Sequence, residues 1–181
     1  MSPKSSFLKD IPKGWRSDRM GNVAEIVFSN VDKHTFDFEI AVRLCNYVDV
    51  YNNDRITSDI KFMEASAEPR EIVRFQLQKG DVLATKDSES PDDIAIPSLV
   101  AETLPGVLCG YHLALIRPRA HQVYGRYLAW LHCSKAFRSH YEAQALPPIP
   151  DPRRRHRPTA DHGYRPQPGR RLWLERRSLR S

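Results

Sequence analysis

The 181-residue sequence has three cysteines, and Cys45, Cys109 and Cys133 stand too far apart to form a Cys-x-x-Cys pair. Zinc-finger and thioredoxin-type chemistry is therefore excluded, and buried, reduced thiols are expected. The seven histidines make no His-x-x-x-His pair, and Gly80 is not followed by the Gly-Lys-Ser/Thr of a phosphate-binding loop. Pro91-Asp92 with Glu102 starts the Pro-Asp…(Asp/Glu)-x-Lys pattern of magnesium nucleases, but Thr103-Leu104 follows and the lysine is missing. A methyltransferase reading lacks both a Gly-rich cofactor loop and an Asn/Asp-Pro-Pro-Tyr/Phe pocket. No catalytic residue, metal or cofactor is expected. No run approaches the ~20 apolar residues that span a bilayer, and Met-Ser-Pro-Lys-Ser-Ser at the start has no apolar stretch of a secretion signal. A cytoplasmic protein without membrane contact is expected.

What is present divides sharply at Leu146. Residues 1–145 carry 18 Lys and Arg against 19 Asp and Glu, a net of −1, while residues 146–181 carry 10 Arg, no Lys and 3 acids, a net of +7. Half of the 14 prolines fall in that last segment, including the spacers around Arg153–Arg157 and Arg170–Arg171. Such a composition cannot bury enough apolar area to offset its ordering entropy, so disorder is expected over 146–181. A Pro/Arg-rich, lysine-free segment is what a shifted reading frame in a GC-rich gene encodes, and that origin is preferred to a selected basic tail. The organisation expected is a flexible lead-in over 1–14, one domain over 15–145, and the tail.

Within the domain, Met20–Glu25 reads as a turn into a short helix with Asn22 and Glu25 spaced as a capping box. Ile40–Cys45 and Tyr47–Val50 are rich in β-branched and aromatic residues and read as strands. Ser66–Lys79 is helical in pattern, with Pro69 suited to the first turn. Val82–Thr85, Ile94–Val100 and Tyr111–Ile116 read as further strands. Val123, Tyr127, Trp130, Phe137 and Tyr141 mark one face of a long amphipathic helix over about 123–144. The fold class is mixed α/β (α+β), short strands closed by that helix. The expected core is Trp15, Val42, Leu44, Val82, Leu83, Leu113, Leu115, Tyr127, Leu131 and Phe137.

The polar residues that interrupt these strands are the candidate binding groups. Lys86, Asp87 and Ser88 lie where Val82–Thr85 opens into a polar loop, and an ordinary solvated loop is the alternative. Arg43, Asn46 and Tyr47 break a strand pair; Arg can bond guanine and Asn adenine in the major groove, or they are simple edge-strand polar residues. His112 reads as a strand histidine with a structural or a contact role. Arg117 and Arg119 suit a phosphate backbone or solvent.

Several segments in order and spacing resemble the target recognition domain of type I restriction–modification specificity subunits. They are Ile11-Pro-Lys-Gly-Trp15, Met20-Gly-Asn-Val-Ala24, Arg43-Leu-Cys-Asn-Tyr-Val-Asp49, Phe75-Gln-Leu-Gln-Lys-Gly-Asp-Val-Leu83 with Thr85-Lys-Asp87, and Cys109-Gly-Tyr-His-Leu-Ala-Leu-Ile-Arg-Pro118. With the helix Tyr127–Ala145 the resemblance covers roughly residues 11–145. It implies sequence-specific binding of double-stranded DNA without catalysis. In such assemblies a partner methyltransferase subunit uses S-adenosylmethionine to modify adenine, and a separate restriction motor-nuclease subunit cleaves. Family members carry two recognition domains held apart by long helices, whereas this sequence has one and no spacer helices, so a truncated specificity subunit is expected. The alternative is a non-specific binder of nucleic acid or an acidic partner, acting through the arginine-rich tail.

Overall fold

A computed structural model describes residues 13–14, 16–87 and 93–144. Trp15, the candidate Ser88 and the tail over 146–181 lie outside the described residues. In chain order the elements are α1 (Met20–Val23), β1 (Ala24–Phe28), β2 (Ile40–Cys45), α2 (Tyr47–Asn52), β3 (Arg55–Ile56), β4 (Met63–Ala67) and α3 (Pro69–Phe75). They continue with β5 (Val82–Thr85), β6 (Pro97–Val100), β7 (Val107–Cys109), β8 (Leu113–Pro118), α4 (Gly125–Cys133) and α5 (Lys135–Gln144). The mixed α/β class is the one expected.

The strands form two sheets. One runs β1-β8-β5-β6-β3, antiparallel except where β3 joins β6; the other runs β4-β2-β7, with β2 antiparallel to β4 and parallel to β7. Side chains alternate across a strand, and β5 and β8 use both faces. Leu83, Leu113 and Leu115 join Val42, Leu44, Val107 and Leu108 in the larger core, between the two sheets. Val82, Ala84 and Ile116 point the other way and pack with Leu128 of α4. At ~1.5–3 kcal/mol for each fully buried large aliphatic side chain, this double use makes β5 and β8 the centre of the fold.

One ion pair sits inside the frame. Arg117 Nε and Nη2 donate to the two carboxylate oxygens of Asp81 at 2.9 and 2.8 Å, and Nη2 also donates to the Gln76 carbonyl at 2.8 Å. Asp81, only 2% exposed at its side chain, further accepts the Gln78 N–H at 2.8 Å and so closes the Gln78–Asp81 turn. Gly80 within that turn has φ +93°, the left-handed region in which a Cβ is strained. The Lys79-Gly-Asp-Val-Leu83 segment is thus structural: a turn, a buried carboxylate and a two-faced strand.

The structure corrects several element assignments. Tyr47–Val50 is helical, within α2, because the Asp49 carboxylate accepts the Asn46 N–H at 2.7 Å and caps the turn. The Tyr47 and Tyr51 rings then stack one turn apart, with centroids 5.6 Å apart. The helix expected over 123–144 is divided at Ser134, which has extended backbone. Ser134 Oγ donates to the Leu131 carbonyl at 2.6 Å and accepts the Phe137 N–H at 3.4 Å, ending α4 and starting α5. Asn22 does not cap α1; Asp18 instead accepts from the Arg19 N–H and Asn22 Nδ2, and Glu25 belongs to β1. The strand expected over 94–100 begins only at Pro97. Of the expected core, Tyr127 is exposed, Leu131 and Phe137 are half-buried, and the six candidates on β2, β5 and β8 are buried. Cys45 and Cys109 are buried as expected, but Cys133 is exposed.

Candidate functional site

Three chain segments converge where β1, β5 and β7 end and β8 begins. Ser29, just past β1, donates from its N–H to the Leu113 carbonyl at 3.2 Å and from Oγ to the Cys109 carbonyl. The Lys86 N–H, just past β5, reaches the His112 carbonyl at 3.2 Å. These bonds lock the backbone that carries Phe28, Lys86, Asp87, Tyr111 and His112.

Lys86 is the hub of the cluster. Its Nζ lies 4.3 Å from the Tyr111 ring centroid and 6.0 Å from that of Phe28, and it donates to the Ser29 carbonyl at 3.4 Å. Cation–π attraction to two rings holds a normally flexible side chain in one place. His112 lies in the Gly110–Leu113 turn and not in a strand; its Nδ1 is 3.0 Å from Asp87 Oδ2. Both partners are more than half exposed, so this pair orients its groups far more than it stabilises the fold. Tyr111 packs edge-on against the His112 ring at 5.1 Å.

Asn46 adjoins this cluster through Gly110. A Cβ at Gly110 would lie 2.8 Å from the Cys45 carbonyl oxygen and 2.9 Å from Asn46 Oδ1, so only glycine lets the ends of β2 and β7 close under the Asn46 amide. Asn46 Nδ2 points to Met63 Sδ at 3.7 Å, a weak acceptor. Beyond it lies an open groove of about 670 Å³ bordered by Asn46, Val48, Lys61, Met63 and Glu64. Asp49 also lines it, with burial holding its carboxyl above the usual range against the opposing Asn46 N–H bond.

The candidates from the sequence are thus partly gathered. Lys86, Asp87 and His112 come together, and Asn46 borders them while also capping α2. Tyr47 is half-buried on α2 beside Tyr51. Arg43 is exposed but turned away, with Nη2 on the Pro105 carbonyl at 3.2 Å. Arg117 holds its guanidinium on Asp81 and Gln76, and that pairing raises its pKa further. It is a structural cation, because a buried carboxylate needs a partner. Phe28 and Tyr111 are not among the candidates read from the sequence; the signal at Phe28 was a large apolar residue ending a strand, and at Tyr111 an aromatic beside the candidate His112. Both are exposed, Phe28 at 64%.

Among the described residues, no group of three or more His, Cys, Asp or Glu is arranged to hold a metal ion, and no helix is long and apolar enough to cross a membrane.

No family model and no curated protein matches this chain. Two solved structures are similar to part of this chain. The HsdS subunit from Thermoanaerobacter tengcongensis is 19% identical over 75% of this chain and 30% of its own, with a TM-score of 0.47. A structure described as the basis of complex assembly and conformational transition of the type I R-M system is 20% identical over 68% of this chain and 28% of its own, with a TM-score of 0.46. The chain spans less than a third of the length of either. At such identity no side-chain role is carried over, and the site's chemistry rests on its own residues.

Proposed function

We propose that this chain is a target recognition domain that reads duplex DNA without catalysis, as part of a type I restriction–modification specificity subunit. The observation that carries this reading is the strand-end cluster of Lys86, Asp87, Tyr111 and His112 with Phe28, bordered by Asn46. Hydrogen-bond donors, acceptors and exposed rings sit there side by side on locked backbone, and base edges in the major groove are read by such groups. Arg43, Tyr47 and Ser88 stay in this proposal as further contacts on their sequence reading alone. Methylation and cleavage fall to partner methyltransferase and motor-nuclease subunits. Because residues 1–145 are near neutral, sequence-independent affinity from phosphate neutralisation is low, and base contacts or partner subunits supply the grip.

The arginine-rich composition of 146–181 favours a second reading, a non-specific binder acting through that segment. Selection from a random duplex pool separates the two. The recognition reading expects a short enriched motif that survives deletion of 146–181. In that motif Lys86→Ala and Asn46→Ala each cost ~1–3 kcal/mol and leave random duplex unchanged. No enriched motif, with all affinity and its salt dependence lost on deleting 146–181, would replace it with the second reading.

A further inference from the structure

We infer that Phe28 and Lys86 together form the specificity-determining element of this surface, reading a thymine C5-methyl group beside a purine acceptor in the major groove. The inference rests on the DNA-recognition reading above and assigns its chemistry to two atoms of the target.

An ammonium group has three donors and no acceptor. Among the described residues the Ser29 carbonyl takes one of them at 3.4 Å, while the Tyr111 and Phe28 rings attract the charge without consuming a donor. The neighbouring carboxylate of Asp87 is engaged by His112 at 3.0 Å. Lys86 is therefore a held cation with donors to offer, and what it offers suits the N7 and O6 acceptors of guanine.

Phe28 supplies the second half. The residue is 64% exposed at the end of β1, yet its backbone is fixed, with Phe28 in register with Ala114 and the next N–H bonded to Leu113. A rigid apolar ring turned to solvent beside a cation has little to gain from a phosphate, whose contacts are polar. It does have a partner in the thymine methyl, the apolar group on the major-groove edge of the base pairs. The minor groove presents no such methyl, so the pairing of ring and ammonium selects the major groove.

The test uses the full chain and the duplex enriched from a random pool. Each thymine is replaced in turn by deoxyuridine, which removes only the methyl, and each guanine by 7-deazaguanine, which removes only N7. One deoxyuridine and one nearby 7-deazaguanine position are each expected to weaken wild-type binding by roughly fivefold or more. Phe28→Ala should erase the deoxyuridine penalty and keep the other, Phe28→Leu should retain part of it, and Lys86→Gln should erase only the 7-deazaguanine penalty. A motif whose penalties persist in Phe28→Ala and Lys86→Gln, or one insensitive to both replacements, overturns this inference and leaves the DNA-recognition reading standing. If no motif is enriched, both fall together.

Discussion

Gly125 at the start of α4 packs directly on the Gly80 carbonyl: a Cβ built at Gly125 would sit inside the van der Waals envelope of that oxygen and its carbon. The missing side chain at Gly125 lets the helix approach the turn that leads into β5. Gly125→Ala must push α4 off the sheet or distort a turn already held at φ +93°. A loss of ~1–3 kcal/mol is expected, the scale of overpacking a close contact. Urea unfolding monitored by far-ultraviolet circular dichroism measures it, and a neutral result would mean that α4 is loosely held.

Asp81→Ala should be among the most destabilising single changes outside the apolar core. It strands the Arg117 guanidinium and frees the Gln78 N–H, and breaking a buried pair on one side costs ~3–5 kcal/mol. The Asp81→Ala/Arg117→Met double variant should recover part of that loss. Equilibrium unfolding of the two single variants and the double variant closes the cycle; full additivity would deny the coupling.

The thiols should fall into two classes. Burial pushes the pKa of Cys45 and Cys109 well above that of an ordinary thiol, and thiolate is the reactive form. A disulfide exchange reagent should label Cys133 quickly in the native protein, with Cys45 and Cys109 following only on unfolding. Cys133→Ser should remove the fast phase. Fast labelling of Cys109 without denaturant would show that the β7 edge opens.

His132 should make stability fall in mild acid. Its ring is buried against Phe137 and Tyr141, with Nδ1 2.8 Å from the Leu128 carbonyl, and burial depresses its pKa while that bond partly opposes the shift. The folded state then binds its proton less readily than the unfolded chain. The stabilising contribution is complete above the unfolded value of about 6.5 and is lost as pH falls from there through the folded value. His132→Phe should flatten the stability profile between pH 7 and pH 5, and thermal unfolding across that range reads it. A profile unchanged in the variant would assign the acid sensitivity elsewhere.

Local pattern alone determined the strands at Ile40–Cys45 and Val82–Thr85 and the helix begun by Pro69, because burial on a sheet face or a missing N–H imposes itself within a few residues. It also marked Lys86 and Asp87 where a strand opens into a loop and Asn46 where a strand pair breaks, but read His112 as part of a strand, where a turn stands. Tyr47–Val50 misled because β-branched residues suit strands, and only the Asn46–Asp49 cap decided for a helix. The step of seven from Trp130 to Phe137 equals about two helical turns and so concealed the break at Ser134. The surroundings of Arg117 and Phe28 were decided by tertiary structure. Arg117 faces Asp81 across the β8–β5 pairing, 36 residues away in sequence, and no local pattern reports a partner at that distance. No local pattern singled out Phe28, whose surroundings form only where the ends of β1 and β5 meet the start of β8. That meeting leaves its ring in solvent beside Lys86, so a contact between remote segments turned an apolar residue into a candidate reader of bases.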